Sequence, residues 1–230
     1  MKSYLSIDVD YFAHHFNAIE MRKFFNRVLK IDAPTLIVVN HQHLVNHVDQ
    51  FNYERLINLD FHSDLTDAID FNGVPYDYSL GNGNTKHEYW PEEFECGTWV
   101  NFCKLRNNAE FVWHYPHEVC YEYDGQCLSS MYTDYSYDRK FIAKFWREGC
   151  NNNFHNWASA KRKRGYSSMF ADDFVGIGIA LSPDWSKEAA EMEFMENILP
   201  KFIQKGACLD KQMEEYIEET VETRFDKHLW

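Results

Sequence analysis

The chain contains no apolar run of the roughly 18–20 residues that a membrane-spanning helix requires, so no span is expected. It also lacks a Cys-x-x-Cys pair. Its six cysteines (96, 103, 120, 127, 150 and 208) are scattered, which argues for reduced thiols rather than a zinc ribbon or a disulfide frame. Basic residues are in deficit: 23 Lys and Arg face 36 Asp and Glu, for a net charge of −13. Such a chain repels nucleic acid and anionic membrane. The one basic run, Lys161-Arg162-Lys163-Arg164, reads as a solvated loop or helix face. Asp8 and Asp10 stand where a secretion signal would carry its apolar stretch, which predicts a cytoplasmic protein. There is no internal repeat and no Gly-, Pro- or Ser-rich linker, so a single domain over residues 1–230 is expected.

Hydrophobic residues make up 45% of the chain and charged residues 26%, which is globular usage and excludes intrinsic disorder. Aromatic residues reach 17%, so much of the core must be Phe, Tyr and Trp. Short apolar runs at 4–9, 35–39, 55–59, 110–114 and 174–181 predict strands. Helical spacing is visible at 18–29, from Ile19 through Phe24, Phe25, Val28 and Leu29. Helices are also expected from residue 44 to 48, at 97–105, near 186–204 and near 209–224. Residues 72–91, with Gly, Pro and Asn, read as loop, and 121–138, rich in Tyr, Asp and Ser, as an extended excursion or lid. Strand-like runs alternating with helices predict an α/β fold with a mostly parallel sheet covered on both faces. Sites in such sheets lie at the carboxyl ends of the strands.

Those ends carry chemistry. They are Asp8 and Asp10, then His41 and His43, then Asp60, His62 and Asp64, then Asp184. In an extended segment alternate side chains share a face, so Asp8 pairs with Asp10, and Asp60 with His62 and Asp64. Crowded carboxylates resist ionisation unless a cation relieves them. Carboxylates with imidazole suit Mn, Fe, Co or Zn better than Ca or Mg. Each motif alone also reads as a helix cap or a loop acid.

Asp60-Phe61-His62-Ser63-Asp64 resembles the Asp-x-His-x-Asp signature of the arginase and agmatinase (ureohydrolase) superfamily, and Ser6-Ile7-Asp8-Val9-Asp10 resembles its Ser-x-Asp-x-Asp signature. Val38-Val39-Asn40-His41-Gln42-His43 sits where that superfamily has a strand ending in Gly-Gly-Asp-His. The likeness is greatest to the peptide arginases, whose Asp-x-Asp segment is followed by an aromatic pair, as Tyr11-Phe12 follows here. The resemblance implies a three-layer αβα fold of the arginase/deacetylase type and two Mn²⁺ ions. Asp8 and Asp60 match the carboxylates that bridge the ions, Asp10 and His62 the other ligands of one ion, and Asp64 a ligand of the second. The sixth ligand is His43, by its place in the pattern, or else His41. The implied activity is hydrolysis of a guanidinium to urea and ornithine, with Asp64 also carrying the proton to the leaving amine. In classical arginases the Asp-x-His-x-Asp strand comes first, so the order here is rearranged or permuted. No residues match those that hold the α-amino and α-carboxylate groups of free arginine, which favours an arginine within a peptide or protein as partner. Classical relatives often associate, so a homo-oligomer is compatible with the resemblance.

A guanidinium also needs an acidic partner. Asp184, at a late strand end, is assigned to substrate binding, with a helix cap as its alternative. Glu93 and Glu95 are weaker candidates, as are Trp99 for stacking and His114 or His117 for proton transfer. Three competing functions remain. A haloacid-dehalogenase-type phosphatase would use Asp8 as nucleophile, Asp10 as acid-base and Asp172-Asp173 as its later acidic motif. A single-zinc deacetylase would use fewer ligands. A binding protein would keep a decayed ureohydrolase fold.

Overall fold

The computed structural model describes residues 1–13, 16–61, 64, 99–100, 103, 109–116 and 161–227, with the backbone alone at 115, 161–164 and 221–227. Among the described residues, seven strands form one sheet in the order β5-β4-β3-β1-β6-β2-β7. They are β1 (Lys2–Asp8), β2 (Thr35–Val38), β3 (Arg55–Leu59), β4 (Glu110–Tyr115), β5 (Lys161–Arg164), β6 (Asp173–Ala180) and β7 (Cys208–Leu209). Every pairing is parallel. The chain is thus α/β, as its short apolar runs predict. The basic run differs from its reading: Lys161–Arg164 is strand, paired with residues 112–115 at the sheet edge. Charged side chains are compatible with an edge, where they discourage further pairing.

Alternating side chains of the strands feed two cores, one on each face. On one, Leu5, Ile7, Ile57, Leu59, Ile177 and Ile179 pack with the buried stripe of helix α1 (Ala18–Val28), namely Met21, Phe24, Phe25 and Val28. Asn17 starts α1 by accepting hydrogen bonds from the N–H groups of Ile19 and Glu20 at 3.0 and 3.2 Å. Ile19 belongs to this helix but not to its buried stripe; it is 64% exposed. Phe12 packs against Phe24 and Phe25, with ring centroids 5.3 and 5.7 Å away. The aromatic pair after the Asp-x-Asp segment therefore anchors that segment to α1.

On the other face, Tyr4, Leu56, Phe111 and Trp113 pack with Val45 and Val48 of the short helix α2 (Val45–Val48) and with Trp99, Val100 and Cys103. Gly178 of β6 permits this packing. A Cβ there would lie 2.6 Å from Leu44 and 2.7 Å from the Tyr4 hydroxyl, closer than side chains tolerate.

The expected helix at 186–204 is interrupted. Helix α3 (Glu188–Glu193) widens into a π turn over Phe194–Ile198 before α4 (Leu199–Gln204) begins. Pro200 lies in the first turn of α4 and can neither donate to a preceding carbonyl nor avoid crowding it, which explains the break there. The last helix, α5 (Lys211–Lys227), is capped by Asp210, which accepts the Met213 N–H at 2.8 Å.

The order of the strands places the site. From β1 the chain crosses to β2, returns to set β3 on the other side of β1, and continues outward through β4 and β5. It then inserts β6 between β1 and β2. The carboxyl ends of β2, β6, β1 and β3 therefore lie side by side where the winding reverses, the place at which parallel sheets of this kind hold their sites.

Candidate metal centre

Three side chains define the centre: Asp8 at the end of β1, Asp60 immediately after β3, and His41 in the 3-10 turn (His41–Leu44) that follows β2. All are buried, and they offer ligand atoms within 4.8 Å of one another. His41 Nδ1 lies 3.1 Å from Asp8 Oδ2, 3.2 Å from Asp60 Oδ2 and 2.9 Å from Oδ2 of a fourth residue, Asp64. Yet this nitrogen makes no well-aligned hydrogen bond. Carboxylate oxygens surround it as donor atoms surround a shared centre.

Each ligand candidate is held from behind. Ser182 donates to Asp8 Oδ2 at 2.6 Å, and the Asp10 N–H donates to Asp8 Oδ1 at 2.9 Å. Asn58, two residues before Asp60 and on its face of the sheet, donates to Asp60 Oδ2 at 3.0 Å. The Trp99 indole N–H donates to Asp64 Oδ2 at 2.7 Å, and the Trp113 indole N–H to the Asp60 carbonyl at 3.0 Å. Ser6 Oγ lies 2.6 Å from His41 Nε2. With the proton on Nε2 donated to Ser6, Nδ1 presents a lone pair to a cation. Asp10 joins the same neighbourhood: its Oδ1 accepts the Phe61 N–H at 3.2 Å. Among the described residues, two non-glycines have positive φ, Asp64 (51°) and Ser182 (48°), and both touch this cluster. Left-handed backbone there costs about 1–2 kcal/mol per residue, which the surrounding contacts must offset.

The electrostatics are those of a site built around positive charge. Burial and the nearby Asp64 and Asp8 carboxylates push Asp60 up to about 7. Burial alone would lower the His41 pKa, but Asp60, Asp64 and Asp8 together hold it well above its ordinary value. Burial would raise Asp8, but His41, the Ser182 hydroxyl and the Asp10 N–H hold it below the ordinary carboxylate value. Two raised groups make the metal-free protein's stability fall as pH climbs: for Asp60 from about 4 to about 7, and for His41 from about 6.5 upward. Asp8 works in the opposite sense, contributing stability above its unfolded value that is lost only in acid. In chelator, thermal unfolding should therefore occur at a higher temperature at pH 6 than at pH 8. Saturating Mn²⁺ should reverse the order, because ligand protons must leave for the metal to bind. A metal-free protein more stable at pH 8 would contradict this charge arrangement.

The structure brings Asp8, Asp10, Asp60 and Asp64 together. It places His41, not His43, in the cluster. His43 Nδ1 instead lies 3.0 Å from Asp210 Oδ2, beside α5. The physical reason is local. The chain enters a 3-10 turn at His41, where each residue rotates by about 120°, so residues two apart no longer share a side. Asp184 is exposed in the turn after β6 and is not gathered into the cluster. His62, Glu93, Glu95 and His117 lie outside the described residues. Trp99 is fully buried, and its indole serves Asp64. His114 is buried with Nδ1 2.7 Å from the Gly165 carbonyl. Asp172, an acid the phosphatase reading needs, lies at the opposite end of the strands, bonded to Ser3 and Arg55 at 2.6 Å each.

Sequence reasoning did not single out Ser6, Asn58 or Ser182 as supports. The same-face alternation that pairs Asp8 with Asp10 also points to Ser6 and Asn58, one step back along each strand. Ser182 carries no comparable signal. Compared with protein-family models, curated proteins and solved structures, the chain matches none.

Proposed function

We propose that this protein is a metal-dependent hydrolase that converts an arginine side chain, within a peptide or protein, to ornithine and urea. The observation that carries the reading is the buried His41 Nδ1 ringed by Asp8, Asp60 and Asp64 within 3.2 Å, at the strand ends that bear the two ureohydrolase-like motifs. The donor set fits a divalent transition ion: buried carboxylates that repel one another, plus an imidazole nitrogen without a hydrogen bond. Asp8, Asp60, His41 and Asp64 would hold the metal, with Asp10 beside them and His62 added by the motif resemblance. A metal pair held there would supply Lewis acidity and a hydroxide nucleophile near neutral pH.

The chain's own residues do the rest. The acidic cluster attracts the guanidinium cation and excludes anionic substrates. Asp64, fixed by Trp99, takes the proton of the attacking water and returns it to the arginine Nε as the bond from Cζ to Nε breaks. Water is consumed: its first proton reaches Nε through Asp64, its second passes from the new C–OH to the released amine, and urea and a protonated ornithine amine result. Asp184, exposed in the turn that begins at Ser182, is the carboxylate proposed to meet the incoming guanidinium.

The test is mass spectrometry of arginine-containing peptides incubated with Mn²⁺-loaded protein. Conversion shows as loss of one carbodiimide unit per arginine. No conversion of arginine peptides, free arginine or agmatine would overturn the proposal. A second reading, a single-zinc deacetylase, is favoured by the compact Asp8, His41 and Asp60 set. Two bound ions per chain select the first reading, and a single zinc the second.

A further inference from the structure

The turn after β6 is tied to the centre by more than one bond. The Ser182 N–H donates to the Val39 carbonyl at 2.7 Å, just ahead of the His41 turn. The Ser182 carbonyl accepts the N–H groups of Trp185 and Ser186 at 3.0 and 2.8 Å. Its backbone is left-handed, with φ of 48°, a conformation serine seldom adopts. The result is a buried hydroxyl 2.6 Å from Asp8 Oδ2. The other oxygen of that carboxylate is engaged too, by the Asp10 N–H at 2.9 Å. An ionised carboxylate has about two lone-pair directions on each oxygen. Ser182 occupies one on Oδ2 and the Asp10 N–H one on Oδ1, and Oδ2 also faces His41 Nδ1 at 3.1 Å, inside the cluster.

We propose that Ser182 is a positioning residue for metal binding: with the Asp10 N–H, it holds the Asp8 carboxylate in the orientation that faces His41 and Asp60, where a cation would be held. This rests on the metal-centre reading above. It adds to that reading a residue from the strand that carries neither motif, and it accounts for a strained serine at that strand's end. The strain holds the hydroxyl over Asp8, where a relaxed turn would direct it elsewhere.

The experiment is calorimetric titration of chelator-stripped full-length protein with MnCl₂, with melting temperature recorded alongside. Ser182→Ala removes the hydroxyl and keeps the strained backbone. Ser182→Gly removes the hydroxyl and relieves the strain. Both variants should bind Mn²⁺ about 10–100-fold more weakly than wild type, the scale expected for loss of a group that orients a ligand. Ser182→Gly should show this even if it melts no lower than wild type. If Ser182→Ala does not fold, Ser182→Gly alone decides. Wild-type affinity in Ser182→Gly overturns the inference and reduces Ser182 to a turn residue, while the metal centre stands. Failure of wild type to bind Mn²⁺ at all overturns the centre itself, and this inference with it.

Discussion

Asp60→Asn should make the metal-free protein more stable at pH 8 while abolishing the proposed hydrolysis of arginine peptides. Asp60 is 1% exposed, and the price of its ionisation is visible in a pKa pushed to about 7. A shift of that size corresponds to a penalty on the order of 4 kcal/mol at pH 8. The amide has nearly the same shape and carries no charge, but it must find partners of its own, so a net gain of about 1–3 kcal/mol is expected. For a chain of this length that raises the melting temperature by roughly 3–10 °C. Wild type should then gain from added Mn²⁺, by about 2.7 kcal/mol at one hundred times the dissociation constant, and Asp60→Asn should not. Calorimetry with and without Mn²⁺, beside the peptide assay, checks both halves. A variant less stable than metal-free wild type at pH 8, or one that keeps its activity, would contradict the role given to this carboxylate. Buried acids retained at such a cost are what a functional site requires and a structural core avoids.

Substituting the two neighbouring histidines should give opposite outcomes. In the metal-free protein the protonated His41 ring is the cation that offsets Asp8, Asp60 and Asp64. Removing one partner of such a buried set costs about 3–5 kcal/mol, a large share of a domain's stability. His41→Gln should therefore lower the melting temperature sharply and eliminate both Mn²⁺ binding and activity. His43→Ala breaks one contact, to an Asp210 that still caps α5. It should cost about 1 kcal/mol or less and leave activity within a few-fold of wild type. Equal losses from both substitutions, or a greater loss from His43→Ala, would return the ligand role to His43.

The contrast between these histidines shows what the sequence carries and where it is silent. β1, β3 and β6 are readable because strands buried on both faces leave continuous apolar runs, and an acid at the end of such a run needs a reason. Asp8 and Asp60 stood out on that ground. The choice between His41 and His43 depended on whether the chain stays extended past Asn40, and the residues there do not encode that visibly. β5 was hidden because edge strands tolerate charge, so Lys161–Arg164 carries no apolar signature. The expected helix at 186–204 is broken where Pro200, in the first turn of α4, cannot continue the preceding hydrogen-bond ladder. Ser182 was silent because its role comes from a φ angle and from a partner 174 residues away.

That long separation bears on how the molecule comes into being. β6 fills the gap between β1 and β2, so the two strands that carry Asp8 and His41 have no neighbour in common until residues near 180 emerge from the ribosome. Local helices can form early, but this wedge is a late, long-range closure of the kind that slows folding. Without β6 a nascent chain can pair β1 with β3 and bring Asp8 beside Asp60, but it has no strand to seat His41 against them. Ion capture then becomes one of the last events in maturation, and a ribosome-bound fragment ending before residue 170 should have no high-affinity site for Mn²⁺.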